Sequence, residues 1–356
     1  MTAGRDTRRE AFGTLSDGRT VERLRIGSLD GIEAEILTYG GILQALRVPD
    51  AEGRLADVTL GHDTLDGYEA TRGFFGATIG RYANRIAAGR FTLDGREVRI
   101  APNDGPNALH GGADGFDRQV WDVEEAGADH VRLARVSPDG ESGFPGTLSV
   151  ALTYRIVDAQ TLEIAFEAST DRATVVNLTN HTFFNLGGAE RCESVLPHEL
   201  TVAAERYLPI DATSIPEGSP APVAGTPFDF RQARPIGERV RDGSHEQIRR
   251  GRGYDHNFCL ADAVSAEPRL AARVRDPLSG RAMELWTDQP GLQIYSGNFL
   301  DGTVAGKNGR SYRMGDALCL EPQLWPDTPN RPDFPSARLD AGETYRHRTL
   351  YKFSTT

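Results

Sequence analysis

Four polar segments of the chain carry side chains able to move protons or hold a polar ligand. They are Gly80-Arg81-Tyr82-Ala83-Asn84-Arg85-Ile86, Asn107-Ala108-Leu109-His110-Gly111-Gly112, the run from Asn177 to Leu186, and Leu320-Glu321-Pro322-Gln323. A histidine that titrates near neutrality and a positioned carboxylate are residue types suited to general acid and base work. His181 sits among three Asn, two Thr and two Phe, with Gly187-Gly188 following. An ordinary core strand has no need of so many amides, each of which requires a partner once buried. Two readings stand for this run, a hydrogen-bonded bend at a sheet corner and a site. Glu321 follows the apolar run Ala317 to Leu320, so as a strand residue it is partly buried. A buried carboxylate without partners is costly, and a structural ion pair with an arginine is the ordinary explanation. His110 also reads as a surface histidine in a tight turn, Asn84-Arg85 as a surface pair, and Asp255 as a turn former.

Other chemistries fall away on their signatures. There is no Gly-x-Ser-x-Gly elbow, Arg252-Gly253-Tyr254 is not a dinucleotide loop, and Gly306-Lys307-Asn308 lacks the upstream Gly and the Ser/Thr of a phosphate loop. No two histidines sit at i, i+4 or in a short loop with a carboxylate in a metal-ligand pattern, so neither metal nor cofactor is expected. Cys192, Cys259 and Cys319 are odd in number and widely spaced, which indicates neither a disulfide framework nor a zinc site. A reducing, cytoplasmic compartment is expected. Against 51 acidic residues stand 40 basic ones, a formal charge of -11, so nucleic acid is excluded as a partner. Lys307 and Lys352 are the only lysines, and the other 38 basic residues are arginine, a bias without functional meaning. No signal-like apolar stretch follows Arg5, Arg8 and Arg9, and no apolar run approaches the roughly 20 residues that span a bilayer. The triplets at Asn177 and Asn180 match the glycosylation pattern and are expected to be accidental.

The elements that must position these residues are mostly strands. Thr161 to Ala168 alternates apolar with polar, Leu148 to Ile156 nearly does, and Val157 to Gln160 reads as the hairpin connection. Further strands are expected at Ile32 to Leu37, Ile42 to Val48, Val131 to Val136, Ala282 to Trp286, and Arg90 to Ile100 with an Asp94-Gly95 turn at its middle. Helices are few and short, around Thr64 to Tyr68 and Pro235 to Val240. With 39 Gly and 20 Pro in 356 residues, the chain favours turns over long helices. The expectation is an all-β sandwich of antiparallel sheets, with residues 1–12 as a polar, mobile lead and 13–356 as one domain. The Pro-rich stretch Pro209 to Pro235, which carries Phe228 and Phe230, is expected to fold against it. Sandwich faces and interface faces share one period, so no oligomeric state is read.

Together the segments resemble the aldose 1-epimerases, the galactose mutarotases. The likeness runs from about Gly31 to Phe353 and rests on six motifs in the family's order. These are Gly-Arg-x-Ala-Asn-Arg-Ile at 80–86, Leu-His-Gly-Gly at 109–112, Asn-Leu-Thr-Asn-His-Thr at 177–182, Tyr-Asp-His-Asn-Phe at 254–258, Gly-Asn-Phe-Leu-Asp-Gly at 297–302, and Cys-Leu-Glu-Pro-Gln at 319–323 with Pro326-Asp327 after it. The resemblance implies a large antiparallel β-supersandwich with a sugar cleft on its sheet. It further implies His181 as general acid, Glu321 as general base, and Asn84, Arg85, His110, Asp255 and Gln293 as the groups holding a free aldose such as glucose or galactose. Two rivals remain: a hexose-6-phosphate epimerase of the same fold, which requires a basic pocket, and a non-catalytic sugar-binding module, which has no need of both His181 and Glu321.

Overall fold

The computed structural model describes residues 8–27, 31–191 and 193–355. Its largest sheet has nine antiparallel strands, in the spatial order Asp122–Ala126, His130–Ser137, Leu148–Asp158, Thr161–Thr170, Tyr345–Thr355, Arg281–Thr287, Arg269–Arg275, Glu199–Val202 and Arg234–Pro235. A six-stranded antiparallel sheet runs Phe183–Phe184, Leu318–Gln323, Gly291–Tyr295, Asp255–Cys259, Arg206–Tyr207 and Ala221–Pro222. A five-stranded sheet is built from Arg8–Thr14, Thr20–Gly27, Glu33–Leu37, Leu43–Pro49 and Leu55–Asp57 in chain order. The all-β supersandwich expectation therefore holds.

Period-two patterning does what it should in the large sheet. Leu162, Ile164, Phe166 and Ala168 are buried on one face of Thr161–Thr170. They share a continuous apolar cluster with Leu292, Ile294, Leu318 and Leu320 of the six-stranded sheet. Each of the Leu, Ile and Phe side chains taken from water contributes about 1.5–3 kcal/mol. The hairpin after Leu148–Asp158 is tighter than expected, because Asp158 accepts from the Gln160 amide at 2.8 Å and the Thr161 hydroxyl at 3.0 Å. Asp94-Gly95 takes φ of 49° and 74°, the left-handed pair that a type I′ turn requires, and joins Arg90–Leu93 to Arg96–Arg99 as expected.

Two expectations need correction, and one element was not expected. Residues 8–12 of the polar lead are not free: they open the strand Arg8–Thr14, which pairs with Thr20–Gly27, and residues 1–7 lie outside the described residues. The helix expected at Pro235 to Val240 is only a 3₁₀ turn, Ile236–Glu238, because Arg234–Pro235 is taken up in pairing with Glu199–Leu200. A six-residue helix, Glu246–Gly251, was not anticipated; its one aliphatic residue, Ile248, is too little to mark an apolar stripe. The other helix, Leu65–Ala70, lies where a short helix was expected. Phe228 and Phe230 anchor the Pro-rich excursion in the main core, with Phe228 stacked 4.2 Å from Tyr207.

Candidate active site

The six-stranded sheet is buried at every position of its three central strands, so both faces are covered. One face presents Phe258, Leu292, Ile294, Leu318 and Leu320 to the core. Register puts Glu321 opposite Gln293, Gln293 opposite Asn257, and Asp255 opposite Tyr295. Because alternate residues of a strand share a face, Asp255, Gln293, Tyr295 and Glu321 line up on the other one. Asp255 is thus a strand residue, not the turn former its sequence context suggests. Gln293 donates from Nε2 to Asp255 Oδ1 at 2.7 Å. Behind Asp255, His256 points the opposite way: its Nδ1 accepts from the Asp255 amide at 3.2 Å, and its Nε2 lies 3.1 Å from Gln247 Oε1.

The Asn-rich run is both a bend and a site. Asn177 binds the Ala83 carbonyl at 3.1 Å and the Leu324 amide at 2.9 Å. Asn180 donates to the Gly76 carbonyl at 2.8 Å, and Asn185 bridges the carbonyls of Glu193 and Asp316. These amides frame the strand Thr179–His181, which pairs with Ala77–Ile79. Asn177 and Asn180 are buried, so neither triplet offers a glycosylation acceptor. His181 projects into the cleft with Nε2 3.6 Å from Glu321 Oε1. Neither His181 Nδ1 nor Glu321 Oε2 has a hydrogen-bond partner among the described residues. Among the described residues no arginine forms the ion pair that would otherwise account for Glu321.

His110 and Asn84 meet reciprocally. The His110 amide donates to the Asn84 carbonyl at 3.0 Å, and the Asn84 amide donates to His110 Nδ1 at 3.1 Å. Both residues have positive φ, 51° and 65°. Gly111 follows because a Cβ there would lie 2.0 Å from the Gly80 carbonyl oxygen. His110 is 6% exposed, not a surface histidine. With Nδ1 accepting, its neutral ring carries the proton on Nε2, and its T-shaped contact with the His181 ring is 5.4 Å centre to centre. Arg85 completes the wall, its Nε bonded to Asp104 at 2.7 Å.

All seven residues singled out in the sequence, Asn84, Arg85, His110, His181, Asp255, Gln293 and Glu321, line one cleft of about 260 Å³. That is below the roughly 300–1,000 Å³ of drug-sized ligand sites and suits one small polar ring. Arg72, Phe74, Phe183, Tyr295, Phe299 and Leu300 line it too. Sequence reasoning gave none of these a place in the site, although Phe183, Phe299 and Leu300 fall within segments it singled out; for Phe74 the aromatic pair between Gly73 and Gly76 was the available signal.

Burial governs the electrostatics. It pushes His181 down to about 4. It holds His110 well below the usual imidazole range, with His181, Arg85 and Arg72 adding repulsion. Burial also lifts Glu321 well above the ordinary carboxylate range, the Asp255 charge adding to this and Arg85 opposing it. Asp255 itself is raised by burial, against Arg85 and the Gln293 bond. The desolvated cleft therefore favours one proton on Glu321 and a neutral His181 over the charge-separated pair.

Local spacing showed no metal pattern, yet the fold gathers His110, His181 and Glu321 with ligand atoms within 4.8 Å of one another. The His110 tautomer argues against their use as a ligand set: Nδ1 is occupied by the Asn84 amide and Nε2 carries the proton, which leaves two donors where catalytic metal sites use three.

A family model described as Aldose 1-epimerase matches residues 22–352. The chain is 47% identical over 347 residues to the galactose mutarotase of Mus musculus, covering 97% of this chain and 98% of that one. It is 37% identical over 340 residues to the aldose 1-epimerase of Escherichia coli strain K12, covering 95% and 96% of the two chains. The crystal structure of the GalM/aldose epimerase homologue from C. elegans superposes with a TM-score of 0.86 at 30% identity, covering 94% of this chain and 99% of that one.

Proposed function

The chain belongs to the aldose 1-epimerase family, and from that premise we propose that it interconverts the α and β anomers of free aldohexoses, with His181 and Glu321 exchanging one proton through the sugar. The observation that carries this reading is the 3.6 Å approach of His181 Nε2 to Glu321 Oε1 in a buried cleft, with an unpartnered atom on each.

Anomer exchange requires a hemiacetal to open and reclose. In opening, Glu321 takes the proton of the C1 hydroxyl and His181 gives one to the ring oxygen; the bond from C1 to the ring oxygen breaks and the C1 carbonyl forms. The pair is left as Glu321-COOH and neutral His181, the state the desolvated cleft favours. Rotation about C1–C2 then presents the other face of the aldehyde, and the reverse transfers close the ring as the opposite anomer. The site thus stabilises the open-chain complex relative to the ionised pair, while sugar hydroxyls replace water around the charges in the cyclic complex. The His110 Nε2–H and Arg85 supply donors where negative charge develops on oxygen. Asp255, held by Gln293, accepts from sugar hydroxyls.

Free sugar is favoured over its phosphate because both cleft arginines are already neutralised. Arg72 is clamped by Asp117 through Nε and Nη2, each at 2.9 Å, and Arg85 by Asp104. Polarimetry of freshly dissolved α-glucose or α-galactose tests the assignment. Relaxation faster than the spontaneous rate is expected, and faster for glucose than for its 6-phosphate; the reverse order would move the assignment to the phosphosugar. Sugar binding without acceleration would make the chain a binding module.

Two outcomes follow from the burial of the pair. The background-corrected kcat/KM is bell-shaped in pH, since it needs one proton on the pair. It falls on the acid side toward about 4, where His181 takes a second proton, and on the alkaline side at a value above the ordinary carboxylate range, where Glu321 loses the only one. An acid limb near the ordinary histidine value would contradict this. Asp255→Asn removes a charge that raises Glu321, so the alkaline limb moves to lower pH. Its KM for galactose rises by about 10-fold or more, the loss expected for hydrogen bonds to a charged group. An unmoved alkaline limb would separate Asp255 from Glu321.

One catalytic unit runs from the strand Arg8–Thr14 onward in this reading, supported by that strand's pairing with Thr20–Gly27 and by a core cluster that draws on residues from Leu24 to Phe353. It places the protein in the cytoplasm, supported by Cys259 and Cys319 being free, buried thiols; Cys192 lies outside the described residues. No helix among the described residues is long and apolar enough to cross a membrane.

A further inference from the structure

The strap from Thr71 to Gly76 lines the cleft without a part in the proton transfers described above. Phe74 at its tip is half-buried and has φ of 58°, a left-handed conformation that costs a bulky residue about 1–3 kcal/mol. The strap is held on both sides. Asp117 clamps Arg72, whose guanidinium carbon lies 5.1 Å from the centre of the Phe74 ring. Gly73 is required because a Cβ there would meet the Phe75 ring at 2.4 Å. The Gly76 amide donates to the His181 carbonyl at 3.0 Å, which ties the strap to the strand bearing His181.

The strained geometry directs the Phe74 ring at the two catalytic-cleft imidazoles. It is 5.8 Å from His181, near-parallel at 24°, and 4.8 Å from His110, edge-on at 69°. Phe183 lies 5.0 Å from His181 at 26°, so two phenyl rings run nearly parallel to the same imidazole. Phe183 belongs to the sheet and is buried at 3% exposure, whereas Phe74 stands on a loop at the cleft wall.

We propose that Phe74 is a positioning residue for the acid: the strained strap holds its ring as a wall that keeps water from His181 and fixes the imidazole facing Glu321. The proposal rests on His181 being the acid. The groups facing His181 are Glu321 and Tyr295 from the six-stranded sheet, His110 from its turn, and Arg85, Asp255 and Arg72 around the cleft. Of these only Arg72 and His110 touch the Phe74 ring, and each keeps a second anchor, Asp117 for Arg72 and the Asn84 amide for His110, so a change in His181 titration reports the lost wall. Water admitted to the imidazole favours its charged form, so the midpoint rises from its depressed value near 4.

The test is NMR titration of His181 in the full, sugar-free chain, together with the pH profile of kcat/KM, for Phe74→Ala, Phe74→Leu and Phe74→Tyr. Phe74→Leu, close in volume but without the flat ring, carries the test if Phe74→Ala does not fold. The expected result is a His181 midpoint raised by about one pH unit, an acid limb shifted equally, kcat lowered more than KM is raised, and Phe74→Tyr restoring all three. Unmoved midpoint and limb in Phe74→Leu would overturn the proposal, whether or not kcat falls. The NMR midpoint is read without turnover. A shifted midpoint in a protein that does not mutarotate would therefore retain the wall and reject the acid role.

Discussion

Glu321→Gln lowers kcat/KM for mutarotation by about 10²–10⁴-fold, the worth of one positioned proton transfer, while folding stability stays level or rises slightly. The carboxamide keeps the shape and cannot accept the C1 proton. Glu321 is 2% exposed, so water has little access to take over as base. Stability is spared because burial already lifts Glu321 well above the ordinary carboxylate range, and a neutral amide resembles the protonated side chain of the empty cleft. Urea titration of the variant checks the fold and polarimetry checks the rate. A loss of less than about threefold in a folded variant would remove Glu321 from the chemistry.

Arg81→Met is the largest expected loss of stability, about 3–5 kcal/mol in urea unfolding, as for other buried charge networks that lose one partner. Arg81 is 2% exposed, and burial lowers its guanidinium to about 10. It has no carboxylate within salt-bridge distance among the described residues. Instead it donates to the Ser137 hydroxyl and to the carbonyls of Ser137, Pro138, Pro145 and Gly146 at 2.7–3.0 Å. Methionine fills part of the volume and removes the Arg81 donor; the Pro138 carbonyl keeps the Glu141 amide, while each carbonyl left unpaired costs about 1–3 kcal/mol before the loop relaxes. The damage reaches the site, because Tyr82 bridges to Asn177 and the next residues are Ala83, Asn84 and Arg85. A raised KM therefore accompanies the lower urea midpoint. A loss below about 1 kcal/mol would mean that the loop from Ser137 to Gly146 holds itself.

The two arginines of Gly-Arg-Tyr-Ala-Asn-Arg-Ile illustrate what a sequence conceals. Both sit in one polar motif, yet Arg81 ties a loop to the sheet and Arg85 lines the cleft; their partners lie 56–65 and 19 residues away and cannot be read locally. Alternation was legible in Thr161–Thr170, where one face is buried in the core and the other is more open. It was not in Asp255–Cys259, because that strand is covered on both faces and carries polar residues on both, Asp255 toward the cleft and His256 toward Gln247, so they mimic a turn. The Asn-rich run was legible as unusual, and the two explanations offered for it were not exclusive. The gathering of His110, His181 and Glu321 within 4.8 Å escaped any spacing rule, since they come from three elements. Phe74 was passed over because its part is to exclude water, which needs no titratable group.

In the proposed mechanism His181 and Glu321 act as one unit passing a single proton through the sugar. The direct measurement is the polarimetric kcat of His181→Asn, Glu321→Gln and the double variant on freshly dissolved α-galactose, each verified as folded. Groups that act as a unit are strongly non-additive, so the double variant is expected to lose little more than the worse single variant. A double variant slower than wild type by the product of the two single losses would contradict the claim and assign the two residues to independent steps.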